Sequence, residues 1–166
     1  MATEDNLMAA FAGESQANRK YLAFAKKAEA DGFKQIAKLF RAAAAAETVH
    51  ALAHFRVAGH VKDTATNLEA AMAGEHYEFT TMYPGFIAAA VAEGNKGAQR
   101  SFERANAVEQ THHALYSEAF EAAKAGKDLP EGDLYVCGVC GHTVAGEPPD
   151  SCPVCGALRQ KFSKVE

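Results

Sequence analysis

Asn6-Leu7-Met8-Ala9-Ala10-Phe11-Ala12-Gly13-Glu14 returns later in the chain as Asn67-Leu68-Glu69-Ala70-Ala71-Met72-Ala73-Gly74-Glu75, with Glu69 in place of Met8 and Met72 in place of Phe11. Each copy is followed at nearly the same distance by a Glu-x-x-His: Glu47-Thr48-Val49-His50 after Glu14, and Glu109-Gln110-Thr111-His112 after Glu75. The residues around them are dominated by Ala, Glu, Lys, Leu and Gln, which are good helix formers. Residues three apart on a helix share a face, so each Glu-x-x-His presents a carboxylate oxygen and an imidazole nitrogen to one point. The chain thus contains one helical half-site written twice.

A glutamate from each of two helices and a Glu-x-x-His from each of two others form the ligand pattern of carboxylate-bridged di-iron or di-manganese helical bundles. One Glu-x-x-His is weak evidence, because it arises by chance on many solvated helices. The bland alternative for the doubled set is a duplicated hairpin kept for packing, with its carboxylates in water. The neighbours argue against it, since Leu7, Ala10 and Phe11 precede Glu14, and Leu39, Phe40, Ala43 and Ala44 precede Glu47, all core-like positions. The repeat is not perfect, because Glu78 stands where the first half has Ala17. Glu14, Glu47, Glu75, Glu78 and Glu109 turned inward together need cations. Two divalent ions, or an oxide-bridged ferric pair, supply about +4. Replacing Glu78 by a neutral His50 would lower the ligand charge by one, which suggests a redox-linked ligand exchange.

The apolar and charge patterns predict four helices. The first runs from about Thr3 to Ala30 before Asp31-Gly32, and the second from Phe33 to about His60. The third begins at a capping box, Thr66-Asn67-Leu68-Glu69, and reaches about Glu93, with a kink expected near Tyr83 because Pro84 lacks a backbone donor. The fourth runs from Lys96 to about Ala125. The fold class expected is mainly α, a four-helix bundle over residues 1–128, joined by a linker at 129–133 to a small, loop-rich β domain at 134–166. The short Val61–Ala65 link suits up-and-down packing, or an extended connection that swaps helices between subunits.

That last segment holds all four cysteines, Cys137-Gly138-Val139-Cys140-Gly141 and Cys152-Pro153-Val154-Cys155-Gly156. Two such knuckles wrap one tetrahedral ion, and a segment this short needs a metal to fold. Taken alone, the pattern fits structural zinc; beside a two-metal bundle, a one-electron iron centre fits better. Clustered Cys-x-x-Cys pairs point to a reducing compartment. A net charge of −4 without a basic run argues against nucleic acid, and no apolar stretch of about 18 residues offers a membrane span. The N-terminus has no basic and apolar leader, so a soluble cytoplasmic protein is expected. His54 reads as a core or ligand-supporting residue, His76 and His113 as rotated away from the metal, and His60 and His142 as solvated. Tyr21 and Tyr83 lie close enough around their helices to reach ligand carboxylates, with core packing as the plain alternative.

These motifs together, with Gly13-Glu14-Ser15-Gln16-Ala17, Gly74-Glu75-His76-Tyr77-Glu78 and Met82-Tyr83-Pro84, make the chain resemble the rubrerythrin family over essentially its whole length. The resemblance implies a ferritin-like di-iron bundle followed by a rubredoxin-like C-terminal domain with a mononuclear iron on Cys137, Cys140, Cys152 and Cys155. It also implies that Glu47 and Glu109 bridge two irons, that Glu14 is terminal on one, and that Glu75 with His112 is terminal on the other. Glu78 and His50 would exchange on the first iron, with Tyr21 and Tyr83 nearby. The activity implied is reduction of hydrogen peroxide to water in oxidative stress defence, fed by a separate NAD(P)H-dependent reductase or small redox protein. No Gly-x-Gly-x-x-Gly is present for the chain to bind the nucleotide itself. A homodimer is implied, with the rubredoxin-like domain lying by the partner's bundle. Two alternatives remain: a ferroxidase that handles iron, and a metal-stabilised interaction module with zinc in the cysteine site.

Overall fold

The computed structural model describes residues Met1–Glu166, which form two compact units, Met1–Lys62 and Asp63–Glu166. The first unit is a helical hairpin of α1 (Ala2–Ala30) and α2 (Lys34–Val57). Its turn works because Gly32 adopts φ 87°, which only glycine takes without strain, so that the Phe33 N–H returns to the Ala28 carbonyl. The seam is made of small residues: Ala25, Ala28, Ala37, Ala44 and Ala51 are buried and let the two backbones come close. Asn18 is the one polar residue buried there. Its amide donates to the Ala44 carbonyl at 2.7 Å and to the Thr48 hydroxyl at 2.8 Å, tying α1 to the turn of α2 that carries Glu47 and His50. Phe11 stacks on Phe55 at one end, and Tyr21, Phe24 and Phe40 cluster toward the other. Two helices cannot cover all sides of each other, and Ile36 and Leu39, on the stripe that leads to Glu47 and His50, stay exposed.

The second unit begins one turn earlier than the capping box suggests. Helix α3 (Thr64–Tyr77) is capped by Asp63, whose carboxylate accepts from both the backbone N–H and the hydroxyl of Thr66. Thr66 therefore donates to the cap instead of being it, and the same contacts hold the Asp63 carboxyl below its ordinary range. Helix α4 (Tyr83–Ala92) and α5 (Lys96–Lys124) follow, with Asn95 capping α5 through the Ala98 N–H.

The irregularity expected from Pro84 takes the form of a π-helical turn, Glu78–Met82, between α3 and α4. Proline cannot give an N–H to the carbonyl four residues back, and its ring crowds that carbonyl; a widened turn relieves both. The Tyr83 N–H bonds instead to the Glu78 carbonyl.

The C-terminal part of this unit is a three-stranded antiparallel sheet in the order β2-β1-β3, with β1 Leu134–Cys137, β2 Thr143–Ala145 and β3 Phe162–Lys164. Its first cysteine loop rests on α5 of the same chain. Thr111 and His142 approach at 3.4 Å, His112 and Thr143 at 3.0 Å, and Gly141 lies over Val108, the buried residue of α5. His142 is thus half-buried against the helix rather than solvated. No helix in the chain is long and apolar enough to cross a membrane.

Candidate metal centres

The two halves of the repeat build the same local geometry. On the first hairpin, His50 Nδ1 lies 3.0 Å from Glu47 Oε2 and 4.0 Å from Glu14 Oε1; on the second, His112 Nδ1 lies 2.8 Å from Glu109 Oε2 and 3.8 Å from Glu75 Oε1. In each triad one donor atom per residue falls within 4.8 Å of the others. The i,i+3 spacing supplies the Glu–His pair and the neighbouring helix supplies the lone glutamate. His54, His76 and His113 belong to neither triad. His76 and His113 instead pack on each other and on Phe79.

The second triad is the more enclosed, and its charges show it. Burial, reinforced by the Glu109 carboxylate, pushes the Glu75 carboxyl up to about 7. Glu78, outside the triad itself, is raised for the same two reasons, burial first. Tyr83 lies in this environment too: burial and then the charges of Glu78, Glu109 and Glu75 raise its phenol above the ordinary value. In a continuous α-helix Tyr83, five residues on, would point well away from Glu78; the i to i+5 bond of the π turn rotates it back toward that side, within reach of the Glu78 charge. Tyr21 sits in the aromatic cluster of α1 and α2 with Phe24 and Phe40.

One residue of this region has no sequence signature. Thr143 Oγ1 lies 3.0 Å from His112 Nε2 and donates to the Gly141 carbonyl at 3.2 Å. The hydroxyl has one hydrogen, and the carbonyl can only accept, so toward His112 Thr143 must be the acceptor. A neutral His112 hydrogen-bonded to Thr143 through Nε2–H would turn its Nδ1 lone pair toward the carboxylate oxygens of Glu109 and Glu75. A metal ion suits this arrangement, because it would take that lone pair together with the carboxylate oxygens.

The four cysteines converge with the same economy. Each knuckle turns on a glycine with positive φ, Gly141 at 87° and Gly156 at 74°, whose N–H returns to the carbonyl of the first cysteine, Cys137 or Cys152. Sγ atoms of Cys137 and Cys155 are 3.7 Å apart, and those of Cys140 and Cys152 are 3.6 Å apart. A tetrahedron of sulfurs about 2.3 Å from a central metal has edges of about 3.8 Å, so the cage is the size of one ion. Burial opposes ionisation of Cys137, yet N–H groups of Val139 and Cys140 and the thiols of Cys155 and Cys140 outweigh it and bring Cys137 down to about 7. Burial and the neighbouring thiols push Cys140 and Cys155 up. Without a cation one thiol ionises at the expense of its neighbours; a central ion removes that conflict.

Residues 5–120 match the rubrerythrin family and residues 135–163 match its rubredoxin-like domain. The chain is 36% identical to rubrerythrin-2 of Clostridium acetobutylicum, over 96% of this chain and 95% of that protein. It is 39% identical to nigerythrin of Nitratidesulfovibrio vulgaris, over 98% of this chain and 86% of that protein. Solved structures of nigerythrin in mixed-valence and fully reduced, all-ferrous states are similar at a TM-score of 0.59, with 35% and 34% identity, over 98% of this chain and 86% of theirs. The fold class is accordingly mainly α, ferritin-like helices with a small rubredoxin-like β domain. The carboxylate and histidine groups are di-iron ligands, and the four cysteines form a rubredoxin-type site for one iron, which zinc also fits. With both modules matched along most of its length, the chain belongs to the rubrerythrin family.

Proposed function

We propose that this member of an oxidoreductase family is a cytoplasmic peroxidase that reduces hydrogen peroxide to water, H2O2 + 2 e− + 2 H+ giving 2 H2O. Residues 1–128 form its di-iron part and 134–166 its electron port. The observation that carries this reading is the contact of His112 with Thr143, which joins one ligand triad to the cysteine domain of the same chain. Glu14, Glu47 and His50 of one hairpin and Glu75, Glu78, Glu109 and His112 of the other would hold the irons. When bound, a ferrous pair supplies one electron per iron to split the O–O bond.

The surrounding side chains fit that task. Tyr83 keeps its phenolic proton at neutral pH, because burial and the carboxylates of Glu78, Glu109 and Glu75 oppose its loss, so it stands beside the ligands as a hydrogen-bond donor. Glu75, at about 7 in the metal-free protein, exchanges its proton near neutrality. The two histidines differ in the way an exchange of Glu78 with His50 requires. His112 is held on its far nitrogen by Thr143, whereas His50 is 55% exposed and has no counterpart to Thr143. Exposed Ile36 and Leu39, on the stripe of α2 that leads to the first triad, favour association with a second copy as a homodimer. Electrons enter from an NAD(P)H-linked reductase or a small redox protein.

The test is steady-state turnover of the iron-loaded protein coupled to such a reductase. Nicotinamide oxidation equal to the peroxide consumed supports the proposal. Turnover with dioxygen alone assigns a ferroxidase instead. A colourless protein that retains zinc on the cysteines and does not turn over assigns an interaction module.

A further inference from the structure

Thr143 belongs to neither metal site by composition, yet its hydroxyl links the ligand His112 to Gly141 of the first cysteine knuckle. It follows the first cysteine knuckle, Cys137–Cys140, in which the Cys137 N–H bonds to the His142 carbonyl and the Gly141 N–H to the Cys137 carbonyl. That pair of bonds fixes the backbone from Gly141 to Thr143, and the Thr143 hydroxyl bonds back to Gly141. A neighbouring contact, Thr111 with His142, and the packing of Gly141 over Val108 seat the knuckle on successive turns of α5. The shape of the knuckle depends on the ion between its sulfurs, because a sheet this small has too little apolar core to stand alone. The position of the Thr143 oxygen, 3.0 Å from His112 Nε2, is therefore set by the cysteine cage.

We propose that Thr143 is a positioning residue for His112, and that through it the filling of the four-cysteine site strengthens metal binding at Glu75, Glu109 and His112 of the same chain. A hydrogen-bond partner on the far nitrogen of a metal-bound histidine fixes its tautomer and ring plane and raises its basicity. With the knuckle collapsed or the hydroxyl removed, the imidazole is free to place hydrogen on Nδ1, the atom that faces the carboxylates. The coupling is reciprocal: a metal at the triad strengthens binding at the cysteines by the same factor. None of this depends on peroxide being the substrate, so it stands or falls separately from the activity proposed above.

The experiment uses the full-length chain with 15N-labelled histidine, in wild type, Thr143→Val and Thr143→Ser. Cadmium, which the thiolates select, fills the cysteine site, and the 113Cd resonance confirms a four-sulfur environment in every variant. Long-range proton–nitrogen spectra at mildly alkaline pH then report the His112 tautomer, and manganese titration reports the affinity of the carboxylate site. In wild type, cadmium loading should lock His112 with hydrogen on Nε2 and tighten manganese binding. Thr143→Val should lose the lock and weaken manganese binding on the order of 10- to 100-fold with cadmium still bound. Thr143→Ser, which keeps the hydroxyl, should retain both. An unchanged tautomer and manganese affinity in Thr143→Val, or a His112 spectrum indifferent to cadmium, would overturn the proposal.

Discussion

The backbone N–H of Tyr83 donates to the carbonyl of Glu78, and this i to i+5 bond of the π turn breaks the symmetry of the repeated hairpins. Glu78 is the carboxylate that the first half lacks, and the π turn at Pro84 brings Tyr83 within reach of its charge. The phenol is raised by burial first and by the Glu78 charge next. Removing that charge favours the phenolate, so in metal-free protein Glu78→Gln should move the Tyr83 titration down toward the ordinary value while burial keeps it above. Absorbance titration against a Tyr83→Phe control measures this. A Tyr83 titration unaffected by the substitution would show that the two side chains do not face each other.

Glu75 predicts how metal binding depends on pH. Its carboxyl titrates at about 7 in the metal-free protein because burial and Glu109 disfavour its charge. A protonated carboxyl cannot ligate, so binding must expel the proton, and apparent affinity should fall by about tenfold per pH unit below that value. Above it, the dependence from this group levels off. The folded-state value lies above the unfolded one, so its contribution to metal-free stability is present in acid and lost as pH rises through about 7. Manganese titrations across this range test the binding half of the statement, and a flat profile below neutrality would contradict it.

Much of this arrangement is legible in the sequence because it is local. Helical periodicity, the i,i+3 spacing of Glu47 with His50 and of Glu109 with His112, and the Cys-x-x-Cys-Gly loops each encode geometry within a few residues. What is not legible arises where two local preferences compete or where distant segments meet. Thr66 and Asp63 both favour a helix start, and the carboxylate prevails because it accepts two bonds at once. Pro84 announces an irregularity but not its register. Thr143 and His142 carry no motif, since their roles come from the seating of the cysteine loop on α5.

Asn18 should act as the clasp of the first hairpin. Its amide bonds to Ala44 and Thr48 are buried, so Asn18→Ala is expected to cost about 1–3 kcal/mol. The loss should appear as faster hydrogen exchange in Ala2–Val57 with little change in Lys96–Lys124. Uniform loosening of both units, or none, would contradict this assignment.

The sheet should depend on its ion. Stripping metal from the cysteines with a strong chelator is expected to unfold Leu134–Lys164 while the far-UV helical signal of α1 to α5 persists. Retention of sheet amide protection in the stripped protein would mean that the apolar contacts of β1 to β3 suffice alone.

The most direct test of the account is an anaerobic single turnover. The iron-loaded chain, fully reduced, is mixed rapidly with hydrogen peroxide or with dioxygen while the visible absorption of the ferric four-thiolate centre is followed. Peroxide is expected to reoxidise the protein much faster than dioxygen, and the thiolate band to return as electrons drain from the cysteine site. Reoxidation no faster with peroxide than with dioxygen would contradict it.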